Sequence, residues 1–81
     1  MDEILTEKER EKIRIGFGQL LREKRVKLGF SQEELAFRSG LHRTYVGSVE
    51  RGERNLSLEN IFILASTLNC HPRELIPNLK K

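Results

Sequence analysis

The stretch Ser31–Asn55, SQEELAFRSGLHRTYVGSVERGERN, carries a helical apolar pattern that stops at Gly40 and restarts almost at once. An 81-residue chain has room for one small core. A helix broken at that point must therefore serve to redirect the chain. Ser31 to Glu34 has the S-x-x-E form of a capping box, and Phe30 and Leu35 stand where a hydrophobic staple would form. Gly40 tolerates the left-handed conformation in which helices commonly end. The second piece runs from about Arg43 to Glu50, with Val46 and Val49 as its inward residues and Gly52 at its end. Its remaining positions hold Arg43, Thr44, Tyr45 and Ser48, where a core helix would carry Leu.

The flanking segments read the same way. Thr6 and Glu9 form a T-x-x-E box, so a helix could start near Glu7. Phe17, Leu21 and Leu28 fall on one helical stripe, with Arg25 close to it. Gly16 and Gly18 each cost a helix about 1 kcal/mol relative to Ala. A dependable helix is therefore expected only from about Ile15, ending at Gly29. Ser57 caps a further helix whose apolar face is Ile61, Leu64, Ala65 and Leu68, with Leu56 and Ile61 as a staple. Pro72 suits the first position of a short fifth helix, capped by His71 and closed by Pro77. No strand-like alternation occurs. The expectation is an all-α fold of five helices joined by short turns. It forms one domain over residues 1–81, with a core at 13–76 and an N-terminal extension, 1–12, to which no role is assigned.

Charge and cysteine content narrow the function. The formal net charge is +3. Residues 13–29 hold five bases against one acid, so the excess is concentrated on the first main helix. The lone cysteine, Cys70, excludes an internal disulfide and fits a reducing compartment. No apolar run approaches the roughly 18–20 residues of a membrane span, and the acidic start is unlike a signal peptide. A cytoplasmic chain with no membrane partner is expected. Cys70 and His71 with only His42 elsewhere make no convincing zinc set, and an adjacent Cys–His pair lacks a third, orienting group. No metal, cofactor or catalytic residue is expected.

Two short helices joined by a turn of three or four residues make a helix-turn-helix unit. Ala36 permits close approach of the pair. The second helix is thereby lifted to the surface, where its polar side can enter a DNA major groove. The run LREKRVKLGFSQEELAFRSGLHRTYVGSVERGERNLSLENIFILASTLN, followed by PREL, resembles the phage-repressor-like helix-turn-helix family. RTYVGSVERGERNLSLENI is more narrowly similar to the controller proteins of restriction–modification systems.

The resemblance implies a lambda-repressor-like five-helix fold and a homodimer on a pseudo-palindromic operator in double-stranded DNA. It implies Gln32 near a phosphate at the start of the second helix, and Arg43 and Thr44 facing bases. It further implies Tyr45 and Ser48 along the groove, with Arg54 and Asn55 at the DNA backbone. The chemistry agrees, since Arg offers two donors to guanine and Thr a hydroxyl and a methyl. His42 takes a capping position where Asp, Ser or Thr is commoner, and when protonated would suit a phosphate. Gly47 lets something approach closely, DNA being the obvious candidate. Arg25 and Glu50 are either surface charges or the partly buried salt bridge often seen in this family. Leu75, Ile76 and Leu79 either cap the core or, with Leu58 and Phe62, form a symmetric dimer seam. An antitoxin or a phage-type repressor remains the alternative to a controller protein. Glu33 and Glu34 start a helix favourably, and their carboxylates are also a candidate surface for a basic patch of RNA polymerase. In that case charge reversal at both abolishes transcriptional activation and spares DNA affinity. Parallel loss of the two in a reporter and a binding assay would sink the idea.

Overall fold

The computed structural model describes residues 4–79. Helix α1 (Glu7–Lys27) is followed by α2 (Gln32–Ser39), α3 (Arg43–Glu50), α4 (Leu58–Thr67) and a 3-10 turn at Pro72–Leu75. No strand occurs among the described residues. The class is all-α, as expected, but the fifth element is a single 3-10 turn rather than an α-helix. Its start is well capped. His71 Nδ1 accepts from the Arg73 N–H at 3.0 Å, and Glu74 accepts from the His71 N–H at 2.9 Å. Pro77 follows almost at once and has no N–H to donate, so a longer helix cannot build.

α1, α2 and α4 each start where the sequence places a side-chain cap. Thr6, Ser31 and Ser57 accept from the N–H three residues on, at 3.1, 3.0 and 3.1 Å. These bonds satisfy N–H groups that have no partner inside the helix. After α2, Gly40 adopts φ 76°, and the Gly40 and Leu41 N–H groups both donate to the Ala36 carbonyl, at 2.9 and 3.1 Å. That turn redirects the chain into α3.

One core collects Phe17 and Leu21 of α1, Leu35 and Ala36 of α2, Val46 and Val49 of α3, Leu64, Ala65 and Leu68 at α4, and Leu75. Full burial of each Leu or Val contributes roughly 1.5–3 kcal/mol. α3 packs on both α1 and α2, and the 3-10 turn packs on α1 and α4.

Two expectations fail in α1. The helix begins at Glu7, as the Thr6 box allows, but the segment before Ile15 is as helical as the rest, and the helix runs through both glycines. The glycines mark close packing. A Cβ on Gly18 would lie 2.5 Å from the Val49 carbonyl oxygen and 2.6 Å from that of Glu50. A Cβ on Gly16 would lie 2.6 Å from Pro77 Cβ. The packing gain outweighs the local propensity cost. Leu28 does not continue the Phe17–Leu21 stripe. It is the residue after the last helical turn and is exposed, because Gly29 turns the chain away from the core there.

Lys24 Nζ sits 2.6 Å from Glu74 Oε1 and ties α1 to the 3-10 turn. The Lys24 hydrogen bond, with a second from the His71 N–H, holds the Glu74 carboxyl below its ordinary value of 4.5. A depressed carboxyl contributes stability above its unfolded pKa and loses it as pH falls through the folded one. Wild-type protein should therefore lose its advantage over Glu74→Gln as pH drops below 4.5. Thermal unfolding of both chains across roughly pH 3–6 checks this, and parallel curves would remove the proposed coupling.

Candidate nucleic-acid interface

The geometry of α3 follows from which of its residues are held. Val46 and Val49 are fully buried, and they pin one side of the helix to the core. Glu50 is held even more strongly. Arg25 Nε donates to Glu50 Oε2 at 2.6 Å and Arg25 Nη2 to Glu50 Oε1 at 2.9 Å. Arg25 Nη1 donates to the Phe30 carbonyl at 2.8 Å, and Gln32 Nε2 donates to Glu50 Oε1 at 3.0 Å. The two charged side chains are only 11% and 4% exposed. Hydrogen bonding to Glu50 raises the Arg25 pKa further above its ordinary value. The pair locks α1, α3 and the start of α2 together, so α3 has one register on the scaffold.

With that side fixed, Arg43 and Thr44 project from the start of α3 and are exposed. The nearest carboxylate to Arg43 is Glu33, at 3.9 Å. His42 precedes them as the cap residue, but its side chain makes no capping bond and it too is exposed. Tyr45 is half-buried. Its hydroxyl accepts from Asn60 Nδ2 at 3.0 Å, which orients the ring from α4. Arg54 lies over that ring at 5.5 Å, and Asn55 beside it is exposed.

Ser48, expected along the groove, is held by the chain's own groups. It is 5% exposed and does not line an outer groove. Its Oγ donates to the Tyr45 carbonyl at 2.8 Å and accepts from Arg54 Nε at 3.0 Å. It therefore positions Arg54. Gly47 is likewise covered by the chain's own groups. A Cβ there would lie 3.2 Å from Arg51 Nη1 and 3.5 Å from Gln32 Oε1. Helical side chains lean toward the N-terminus, and Arg51 lies back over the turn that Gly47 leaves open. The Gln32 side chain is half-buried and committed to Glu50, not turned outward.

Two contributors were not foreseen. Asn60, early in α4, bonds the Tyr45 hydroxyl, and nothing in its spacing points to that contact. Arg51 is exposed and shares an ion pair with Glu53 at 3.0 Å, whose hydrogen bond draws the Glu53 carboxyl below its ordinary value. The i, i+4, i+8 row Arg43–Gly47–Arg51 was the available signal.

The residues named for a dimer seam divide. Leu75 is 0% exposed and belongs to the core, since the 3-10 turn folds it back between α1 and α4. Leu58 and Phe62, one turn apart on α4, are 70% and 53% exposed, and Ile76 is also exposed. Leu79 is half-buried. Ile63 adds a further exposed apolar side chain on α4. No helix among the described residues is long and apolar enough to cross a membrane.

A helix-turn-helix family profile (HTH_3) matches residues 21–75. The chain is similar to control protein C.BamHI of Bacillus amyloliquefaciens, at 48% identity over 65 residues, covering 79% of this chain and 80% of that one. It is also similar to the crystal structure of the restriction–modification controller protein C.AhdI from Aeromonas hydrophila. The identity there is 61% and the TM-score 0.75, covering 76% of this chain and 94% of the other. The hypothetical transcription factor NHTF from Neisseria aligns at 36% identity and TM-score 0.78, over 95% of this chain and 86% of the other.

Removing one partner of the buried ion pair leaves the other charge uncompensated. Arg25→Ala should cost roughly 3–5 kcal/mol. Urea unfolding checks it, and a loss below about 1 kcal/mol would place the pair among ordinary surface bridges.

Proposed function

The chain belongs to the helix-turn-helix family that matches it over residues 21–75, and on that footing we propose that it is a sequence-specific, DNA-binding regulator of transcription. More narrowly, it acts as a controller protein of a restriction–modification system. The observation that carries this is the start of α3. Arg43 and Thr44 are the two side chains of that helix that remain exposed, Arg43 meeting only the exposed Glu33 carboxylate at 3.9 Å, on a helix whose other positions are held. A guanidinium beside a small hydroxyl-methyl group suits base edges in a major groove, where Arg pairs with guanine O6 and N7. Arg54, held by Ser48 and Tyr45, and Asn55 beside it would meet the sugar–phosphate backbone. His42 and the first turn of α2 at Gln32 would lie against neighbouring phosphates. The likeness to C.BamHI and C.AhdI supports the narrower assignment.

Two copies would bind one operator. Leu58, Phe62 and Ile76 leave apolar surface uncovered, and a symmetric partner would bury it. The two α3 helices would then enter successive major grooves about 34 Å apart. Double-stranded DNA is the partner and no cofactor enters.

The experiment is footprinting on DNA upstream of the chain's own coding sequence, repeated with Arg43→Ala. The wild type should protect two half-sites one helical turn apart. The variant should lose roughly 1–3 kcal/mol of discrimination at a single base position. Uniform weakening on every sequence would make Arg43 a phosphate contact, and absence of any protected site would end the regulatory assignment.

A further inference from the structure

The first two turns of α1 lie outside the family match, which begins at residue 21, yet they stand beside the candidate interface. Gly18 seats α1 against the Val49 and Glu50 carbonyls at the end of α3, and Gly52 seats the following loop against Ile15. The next turn of α1 toward its N-terminus therefore runs along the loop that carries Arg54 and Asn55. Arg14 shares an apolar-floored furrow of about 200 Å³ with Arg54 and Asn55. Arg10 and Arg14, one helical turn apart, share an adjoining hollow of about 140 Å³ with Asn55. Three arginines thus line two adjoining hollows that share Arg14 and Asn55. Glu7 answers one of them, at 3.2 Å from Arg14 Nη2. Glu9 is occupied at the helix cap, where its carboxylate accepts from the Thr6 N–H at 2.9 Å. Arg10 holds no ion pair among the described residues.

We propose that Arg10 and Arg14 continue the phosphate-binding surface begun by Arg54 and Asn55, so that the N-terminal half of α1 grips the sugar–phosphate backbone of the same DNA duplex. The proposal rests on the DNA-binding function above. It gives the N-terminal half of α1 a task that carries no sequence information, because phosphate contacts position a protein without reading bases.

Salt dependence tests it. Each neutralised phosphate contributes about 0.9 to the slope of log affinity against log salt concentration. The full chain and its Arg10→Gln, Arg14→Gln double variant are titrated with the upstream duplex and with a mixed-sequence duplex of equal length. The double variant should lower the slope by up to about two on both duplexes, with their affinity ratio unchanged. Glu7→Gln, which frees Arg14, should strengthen binding to both. An unchanged slope in the double variant, while Arg43→Ala still relaxes discrimination, overturns this proposal and leaves the proposed function standing. Wild-type protein that shows no salt-dependent DNA binding removes both. Arg14 borders an apolar furrow, so if the double variant does not fold, the exposed Arg10→Gln decides alone. It should lower the slope by up to about one, and no change overturns the proposal. A change in oligomeric state with the slope preserved also overturns it.

Discussion

The fold turns on one buried ion pair. Glu50 is the last residue of α3, where the helix dipole disfavours a carboxylate, and its side chain is almost fully withdrawn from water. Neither circumstance is tolerable without a cation. Arg25 supplies a two-pronged one and spends its remaining donor on the Phe30 carbonyl. No buried side-chain polar atom is left without a partner among the described residues. Replacing such a pair with apolar residues of the same volume is often neutral or stabilising, so its value here lies in uniqueness. Val46 and Val49 alone would accept small rotations of α3 about its axis. A bidentate contact from α1, with Gln32 from α2 on the same carboxylate, admits a single orientation.

That constraint works only because the backbones approach closely. Gly18 brings α1 to within contact of the α3 carbonyls, near enough for Arg25 to reach Glu50 two turns further along α1. The end of α3 is fixed by the chain as well. Gly52 at φ 79° lets its N–H donate to the Val49 carbonyl and the Glu53 N–H donate to that of Ser48, both at 3.0 Å. These bonds satisfy carbonyls at the helix end and carry the chain into the Arg54–Asn55 loop. Core, lock and loop are thus one connected system, and a disturbance in any of them would misdirect the exposed start of α3.

How much of this could be read beforehand depends on the range of each interaction. The capped starts at Thr6, Ser31 and Ser57, the reversal at Gly40 and the core residues of α2 through α4 were legible, because caps and apolar periods are written within a few residues. The span of α1 was not. The cost of Gly16 and Gly18 is local and visible, while the contacts that repay it come from Pro77 and from α3, far along the chain. Ser48 failed for a related reason. A serine suits a groove and a buried hydrogen bond equally, and only the position of Arg54 separates them. Leu75 was ambiguous between seam and core until the 3-10 turn set its direction. The Arg25–Glu50 pairing came from family resemblance, since two charges 25 residues apart announce nothing by spacing.

The electrostatics of the helix starts add an independent argument about which end of α3 meets a ligand. Every α-helix exposes free N–H groups and a partial positive charge at its N-terminus. Here α1, α2, α4 and the 3-10 turn each answer that charge with glutamate in the first turn, and each has a side-chain cap. α3 does neither: its first turn holds no acid, and His42 makes no capping bond. Instead it places Arg43 there. A protein selected for stability alone would have placed Asp or Ser at His42 and an acid nearby, as it did at the other helices. No acid or side-chain cap of its own answers the positive pole of α3, and Arg43, met only by the exposed Glu33 at 3.9 Å, adds a guanidinium to it, an arrangement that disfavours the isolated fold and favours contact with acceptor atoms from outside. Major-groove guanine edges and the flanking phosphates are acceptors of that kind, and in helix-turn-helix proteins it is the N-terminal residues of the second helix that meet them.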